Sequence, residues 1–232
     1  MTTYELPNFP VELTPDPEWQ KKGVLYYRNA LSEENQQILF NYLVAISKTS
    51  TEYEELQSIK FEFSPWPILS WNQVYTRESN VERCPTELLD WFQQLFDKSA
   101  NFCPSKLTLD SVYGQLYPNK GGLPPHFDIG IDWGGSISLG GSSDLEMTIN
   151  GEKVVLKQYS GDIVLADFGH IEHAVNNCNE DESPDWWKQD TQRGNKARCN
   201  IQLRDTSKIT KEIAACRMSH GNYIQYLKSV SK

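Results

Sequence analysis

The chain has 232 residues, of which 38% are hydrophobic and 12% aromatic, and its formal net charge is −9. This length and composition predict one well-buried globular domain, and no apolar run approaches the roughly 18 residues that a membrane helix needs. The start MTTYELPNFP has neither a basic cluster nor an apolar signal core, so we expect a soluble, monomeric protein of the cytosol or nucleus, without a membrane partner.

Proline dominates the first 20 residues, and a short strand follows them. An extended arm without a regular helix is predicted there, because the backbone is restricted by Pro7, Pro10, Pro15 and Pro17. The apolar and aromatic run at 24–27 then predicts a short strand.

Two helices are predicted in the N-terminal half. Ser32 is a good N-cap, and apolar residues recur behind it at helical spacing, which predicts a helix over 32–48. A second helix is predicted from Pro85 to about residue 98, since proline is favoured in the first turn and apolar residues again recur on one face. We expect these helices to brace one side of a sheet.

From residue 109 onward the pattern changes to short strands separated by Gly, Asn and Asp turns. Strands are predicted at about 109–117, 135–139, 144–149, 152–158, 161–166 and 198–204. Asn150-Gly151, between two alternating runs, is a hairpin signal. Helices followed by many antiparallel strands predict an α+β fold.

A His-Phe-Asp triplet is the first candidate for metal chemistry. On an extended strand, side chains two residues apart point to the same side, so His126 and Asp128 would bind one ion together. A second histidine would complete the two-His, one-carboxylate set that binds non-haem Fe(II). We select His173, at the end of GDIVLADFGHIEHAV, with His170 as the alternative, while His220 fits a surface or helix-end position. Taken alone, such a triplet or a buried histidine is more often structural than metal-binding.

The stretch RCNIQLR contains candidate groups for an acidic ligand. Strand alternation places Arg198, Asn200 and Arg204 on one face. Two planar guanidiniums on one strand suit a small dicarboxylate, because arginine binds carboxylate oxygens bidentately and keeps its charge. An isolated RxNxxxR is more often a solvated edge, but its position after the HxD triplet and the second histidine favours one joint site.

Together these motifs resemble the AlkB-type branch of the Fe(II)/2-oxoglutarate-dependent dioxygenases, over about residues 110–205. Tyr117 and Gln115 occupy the places where the family has a Tyr and an Asn that contact 2-oxoglutarate. Gln in place of Asn is a departure from the family pattern. SISLG at 136–140 is similar to the family's core strand after the HxD loop.

The resemblance implies a double-stranded β-helix, or jelly-roll, and a dioxygenase that uses Fe(II), 2-oxoglutarate and O2. The metal ligands and catalytic residues would be His126, Asp128 and His173. Arg198 would hold the far carboxylate of 2-oxoglutarate, and Asn200 and Arg204 would steady its chelating end. The cosubstrate would become succinate and CO2, while hydroxylation of an N-methyl group on a base in DNA or RNA would release formaldehyde and give net demethylation.

By the same resemblance, the chain divides into three parts of one structural domain. We expect a helical and lid extension over 1–108, the jelly-roll over 109–205, and a basic helical tail over 206–232.

An aromatic, proline-broken segment at 61–83 resembles the lid that covers the base in AlkB-type enzymes. Trp71 and Tyr75 are candidates for stacking on a flipped or single-stranded base, and Arg77 for a phosphate contact. Packing of these aromatic side chains in the core is an equal alternative.

The uneven charge bears on the substrate. Residues 203–232 contain six Lys and Arg and two acidic residues, which leaves −13 for the rest of a chain whose total is −9. Because an acidic surface repels phosphates, oxidation of a protein side chain or a small metabolite stays open, as does a non-catalytic binding module. The acidic, turn-rich segment 176–197 predicts a mobile loop, in which Trp186 or Trp187 would shield the active site.

The cysteines indicate neither a disulfide framework nor a zinc site. They are odd in number, scattered and without CxxC spacing, which favours reduced thiols. The five are Cys84, Cys103, Cys178, Cys199 and Cys216.

Overall fold

The computed structural model describes residues 6–10, 12–47, 66–72, 86–103, 107–109, 111–128, 131–193 and 196–205. The helices of these ranges are α1 Pro17–Gln20, α2 Glu33–Ser47, α3 Thr86–Ser99 and α4 Asp185–Gln189, and a 3-10 turn spans Glu180–Glu182. The strands are β1 Leu25–Tyr27, β2 Trp66–Asn72, β3 Ser111–Tyr117, β4 Leu123–His126, β5 Gly134–Gly140, β6 Ser142–Ile149, β7 Glu152–Gln158, β8 Ile163–Ala166, β9 Glu172–Asn179 and β10 Arg198–Arg204.

The strands form two antiparallel sheets. The larger sheet has six strands in the order β1-β8-β5-β10-β3-β2, and the smaller has four in the order β4-β9-β6-β7. The chain passes repeatedly between the sheets, so that strands adjacent in sequence are often in different sheets. This confirms the predicted α+β architecture with a double-stranded β-helix, and the larger sheet contains strands from both sides of residue 108.

Both faces of the larger sheet bury apolar side chains in the part of it whose side chains are described, and these form two hydrophobic clusters. On its outer face it packs against the helices, through residues such as Phe40, Phe92 and Trp187. On its inner face it packs against the four-stranded sheet, through residues such as Met147 and Phe168. The candidate site lies on this inner side.

Strand β10 shows how alternation separates these two environments. Its odd-numbered residues Cys199, Ile201 and Leu203 belong to the helix-side cluster. Arg198, Asn200 and Arg204 hydrogen-bond on the opposite face, as predicted. The predicted Asn150-Gly151 hairpin is also confirmed, since these residues have φ of 52° and 81° in the turn between β6 and β7.

Two strands of the smaller sheet were not among the predicted strands. Strand β4 has the sequence LPPH and is an edge strand, where proline is tolerated because one side of the backbone needs no partner. Strand β9 has the polar sequence EHAVNNCN, yet it lies between β4 and β6.

The prediction that no helix forms within residues 1–20 is wrong. Helix α1 begins at Pro17, and the side chain of Asp16 accepts a hydrogen bond from the amide of Glu18 at 2.9 Å. Proline is compatible with a first helical position, because the amide there has no intrahelical partner.

The predicted mobile loop at 176–197 is also wrong. Strand β9 continues to Asn179, and α4 buries Trp187 completely and Trp186 to 9% exposure. The Trp187 ring lies 4.8 Å from that of Phe40, in the helix-side cluster. Neither tryptophan therefore shields the candidate site.

Several predicted features lie outside the described residues. Strand β2 pairs Trp71 with Val112 through the backbone, but the side chain of Trp71 is not described. Tyr75, Arg77 and the tail 206–232 also fall outside the described ranges. None of the helices in those ranges has the length and apolar character needed to cross a membrane.

Candidate metal centre and cosubstrate site

The structure brings His126, Asp128 and His173 together at the mouth between the two sheets. Strand β4 ends at His126, and its register with β9 places His173 directly opposite. Asp128 follows two residues later, with its amide bonded to the carbonyl of Phe168 at 2.9 Å. One potential ligand atom from each side chain lies within 4.8 Å of the others.

Both imidazoles are oriented by backbone carbonyls. Nδ1 of His126 lies 2.8 Å from the carbonyl oxygen of Pro124, and Nδ1 of His173 lies 2.9 Å from that of Ile171. A carbonyl can only accept, so each Nδ1 carries the proton and each Nε2 keeps its lone pair. The two Nε2 atoms lie 3.7 and 3.9 Å from Oδ1 of Asp128, so three lone-pair donors converge.

The protonation states of His173 and Asp128 also favour the binding of a cation. Burial lowers the pKa of His173 to about 4, and this effect exceeds the opposing attraction of Asp128. Burial would raise the pKa of Asp128, but Arg204 and the two imidazoles hold it below its ordinary value. At neutral pH, His173 is therefore neutral and Asp128 is ionised, which are the metal-binding forms.

The structure places Arg204 against the carboxylate of Asp128. Nη2 of Arg204 lies 2.5 Å from Oδ2 of Asp128, and Nη1 donates to the carbonyl of Gly135 at 2.7 Å. The guanidinium lies 5.1 Å from the ring centroid of Phe168. Arg204 thus fixes one oxygen of Asp128 and leaves the other facing the imidazoles.

Arg198 is a buried cation without an acidic partner. Its side chain is 0% exposed, and no carboxylate of the described residues lies within ion-pair distance. Nε donates to Ser138 at 2.9 Å, Nη2 donates to Gln158 at 3.2 Å, and Nη1 has no hydrogen-bond partner. Buried charges are normally paired, so this guanidinium fits an anionic ligand.

The other predicted cosubstrate residues surround Arg198. The register of β10 with β3 pairs Arg198 with Tyr117 and Asn200 with Gln115. The hydroxyl of Tyr117 donates to Gln115 at 3.1 Å, and Ser136 donates to Asn200 at 2.7 Å. Burial raises the pKa of Tyr117, which therefore keeps its proton and can donate.

His170 does not join the cluster. Its side chain is 61% exposed, and Nδ1 contacts Oδ1 of Asp167 at 2.8 Å. Its predicted alternative role as a metal ligand is therefore not supported by the geometry. His220 lies beyond the described ranges.

Sequence reasoning missed several groups of the site. Ser136 and Ser138 on β5, and Gln158 on β7, hydrogen-bond Asn200 and Arg198. The predicted strand alternation on β5 would have placed the two serines on one face, but only the register with β10 identifies that face as the inner one.

Comparison with known proteins identifies the fold. No protein-family model matches the chain. The structure of OsALKBH1 aligns with a TM-score of 0.55 and 14% identity, over 78% of this chain and 97% of that one. A protein of the 2OG-Fe(II) oxygenase family from Burkholderia pseudomallei aligns with a TM-score of 0.50 and 9% identity, over 82% of this chain and 88% of that one. The chain therefore has the fold of the 2OG-Fe(II) oxygenases, as the resemblance implied.

One sequence relative belongs to a much longer protein. A probable lanosterol 14-alpha demethylase from Acanthamoeba polyphaga mimivirus is 31% identical over 192 residues, which cover 76% of this chain and 25% of that protein. The chain thus spans about a quarter of the relative, whose name describes the whole viral protein.

Proposed function

We propose that this chain is an Fe(II)/2-oxoglutarate-dependent dioxygenase. The observation that carries the proposal is the buried, acid-free guanidinium of Arg198 on the same face of β10 as Arg204, which contacts Asp128 of the His126, Asp128 and His173 cluster. Two imidazoles and one carboxylate are the donor set of non-haem Fe(II) oxygenases, and the guanidinium supplies a partner for an organic acid. The donor set and the unpartnered Arg198 nitrogen both fit this metal and cosubstrate.

Each side chain of the site has a definite task in this proposal. Fe(II) with 2-oxoglutarate and O2 supplies the oxidising chemistry, in which a substrate C–H bond is hydroxylated and the cosubstrate becomes succinate and CO2. His126, Asp128 and His173 hold the metal, and Arg204 keeps the Asp128 carboxylate oriented and ionised. The ring of Phe168 lies 4.7 Å from that of His173 and packs against it.

The cosubstrate residues bind and orient the acid. Arg198 binds the carboxylate distant from the metal, and Tyr117, its register partner on β3, turns its one hydroxyl proton from Gln115 to the acid. Gln115 and Asn200 set the polar surface between the two ends, since Gln115 still accepts a bond from Gln202 and Asn200 accepts one from Ser136.

Anaerobic titration tests the metal and cosubstrate assignments. Wild-type protein with Fe(II) and 2-oxoglutarate should develop a visible charge-transfer band. His126→Ala and Asp128→Ala should abolish the band and the iron-dependent turnover. His126→Ala should retain wild-type stability, because its side chain is 24% exposed, whereas Asp128→Ala should fold with lower stability, because Arg204 loses its partner. His170→Ala is the matched control, since His170 is exposed and outside the cluster. Unchanged 2-oxoglutarate consumption in the first two variants would contradict the proposal.

For the substrate, we propose an N-alkylated base in DNA or RNA. Hydroxylation would convert the N-methyl group to N-hydroxymethyl, which then loses formaldehyde and leaves the N–H base. The fold likeness to OsALKBH1 and the aromatic residues Trp71 and Tyr75, with Arg77, support this choice. Release of formaldehyde from methylated oligonucleotides, matched by succinate, is the test.

The net charge of −9 favours a second candidate, namely a protein side chain or small metabolite. Succinate formation that depends on such a substrate, without formaldehyde from methylated oligonucleotides, would select it.

A further inference from the structure

Near Arg198, several buried polar atoms have no hydrogen-bond partner among the described residues. Nη1 of Arg198, Nε2 of Gln158 and Oγ of Ser143 are all buried and lack hydrogen-bond partners among the described residues. Such groups are rare in folded proteins and call for a specific explanation, such as a ligand. Three of them occur here at one end of the sheet sandwich.

Gln158 reaches this end from the opposite sheet. It is the last residue of β7 and pairs with Ser143 of β6 in the smaller sheet, whereas Arg198 begins β10 in the larger sheet. Nη2 of Arg198 and Oε1 of Gln158 lie 3.2 Å apart, and Gln158 is 1% exposed. The two sheets therefore meet here through a neutral amide and a charged guanidinium.

The direction of this hydrogen bond defines the free end of the amide. A guanidinium can only donate, so the amide oxygen of Gln158 must face Arg198. The NH2 group of Gln158 is then left as a buried donor on the same amide that accepts from Nη2, just as Nη1 is the free donor on the same guanidinium. Two neighbouring N–H donors match the two oxygens of one carboxylate.

Because the side chain of Gln158 is neutral, it does not compensate the charge of Arg198. A carboxylate there would pair with Arg198 and neutralise it within the protein. The amide instead accepts one bond and leaves the positive charge available to a bound anion. Burial excludes water, which would otherwise compete for the same donors.

We propose that Gln158 is a second, neutral ligand for the carboxylate that Arg198 binds, and that it favours dicarboxylic over monocarboxylic 2-oxo acids. This inference rests on the proposed 2-oxoglutarate dependence and adds a residue from β7 to that site.

Isothermal titration of the Fe(II)-loaded protein without oxygen tests the role of Gln158. The probes are 2-oxoglutarate and 2-oxovalerate, which has a methyl group in place of the distal carboxylate. Gln158→Leu should weaken 2-oxoglutarate binding by about tenfold or more, because a hydrogen bond to a charged group is lost, and should leave 2-oxovalerate affinity nearly unchanged. Lys157→Leu is the control, since Lys157 is the exposed neighbour on the same strand.

A second variant covers the case in which Gln158→Leu does not fold. Gln158→Glu should weaken 2-oxoglutarate binding more strongly, because its own carboxylate pairs with Arg198, and should raise the Tm of the cosubstrate-free protein. A purely structural role would weaken both probes equally in Gln158→Leu, and that result would overturn the proposal. An unchanged preference for 2-oxoglutarate in either variant would overturn it too. If the wild-type protein binds neither probe, the proposed dioxygenase function fails instead.

Discussion

The pair between Asp128 and Arg204 links the stability of the protein to the candidate metal site. Asp128 must stay ionised to bind a cation, and Arg204, which lies 2.5 Å from its buried Oδ2, lowers its pKa. Arg204 is itself held by the carbonyl of Gly135, and a Cβ at Gly134 would lie 2.8 Å from its side chain. The close approach of β5 and β10 therefore fixes the carboxylate before any metal arrives.

Replacing Arg204 should lower both the stability of the protein and its affinity for a metal ion. Arg204→Met leaves a buried carboxylate without its partner, so we expect a loss of about 3–5 kcal/mol in the free energy of unfolding of the metal-free protein. Metal affinity should also fall, because the pKa of Asp128 rises. Denaturant unfolding and metal titration measure the two effects.

Arg193→Met is the matched control for that experiment. It removes the 2.8 Å ion pair with Glu180, remote from the metal cluster, and should reduce stability without changing metal affinity. Wild-type metal affinity in Arg204→Met would show that Asp128 needs no cation beside it.

The lowered pKa of His173 predicts an acid-sensitive fold in the absence of metal. In the unfolded chain His173 has its ordinary pKa of 6.5, whereas in the folded chain burial lowers it to about 4. Between these values the unfolded state binds a proton that the folded state does not, so stability is present above pH 6.5 and is lost as the pH falls towards 4. The full effect is roughly 3 kcal/mol.

Urea unfolding at several pH values, with a chelator present, measures this linkage. His173→Gln should flatten the decline between pH 6.5 and 4, and His170→Gln should not, because His170 is exposed. An equally steep decline in His173→Gln would assign the acid sensitivity to other groups.

At the scale of residues, the sequence predicted those parts of the candidate site whose residues lie close together in one strand. His126 and Asp128 lie two residues apart, and Arg198 and Arg204 share a strand face, so their grouping follows from local backbone geometry. The carbonyls of Pro124 and Ile171, and the amide of Gln158, belong to no spacing rule. Their roles depend on the fold bringing separate strands together.

At the scale of elements, periodic segments were predictable and polar strands were not. Helix α2 was expected over 32–48 and spans Glu33–Ser47, because its apolar spacing is regular. Strand β9 escaped prediction because its sequence EHAVNNCN is mostly polar and has no alternating apolar pattern, although His173, Ala174 and Val175 are buried. Helix α4 escaped it because an acidic, turn-rich composition surrounds two buried tryptophans.

Helix α4 should contribute to stability more than to the candidate site. Trp187 is fully buried, donates from Nε1 to the carbonyl of Lys196 at 3.1 Å, and packs closely over Gly140, whose φ is +85°. Trp187→Ala should lower the free energy of unfolding by about 3–5 kcal/mol, because it opens a large cavity. Metal affinity of the folded protein should stay within about threefold of wild type, since Trp187 lies in the helix-side cluster.

Chemical denaturation and metal titration of the same samples check this expectation. Phe102→Ala is the control, because Phe102 is 40% exposed and should cost little. A stability near wild type for Trp187→Ala would mean that the segment 176–197 packs weakly, as its composition suggested.

At the scale of the whole molecule, the two faces of the larger sheet of the double-stranded β-helix have different roles. The outer face is covered by helices and provides apolar burial, while the inner face provides Arg198, Arg204 and the polar groups around them. The architecture was predictable from strand order and family resemblance. The pairing of β1 and β2 with the larger sheet was not, because both come from the segment expected to form an extension.

The total charge predicts how strongly the affinity for a nucleic-acid substrate would depend on salt. A net charge of −9, with +4 confined to residues 203–232, leaves 16 Lys and Arg against 29 Asp and Glu in the rest of the chain, which disfavours phosphate binding there. Each phosphate contact steepens the fall of affinity with salt, and six to ten contacts correspond to a loss of about 10³–10⁵ between 50 and 200 mM. We expect a methylated single-stranded oligonucleotide to lose only about tenfold in affinity over this range, as for roughly two contacts. Fluorescence anisotropy in a salt series, with and without residues 206–232, measures the slope. A steep slope that disappears on truncation would assign phosphate binding to the basic tail, and a steep slope that persists would contradict the inference from net charge.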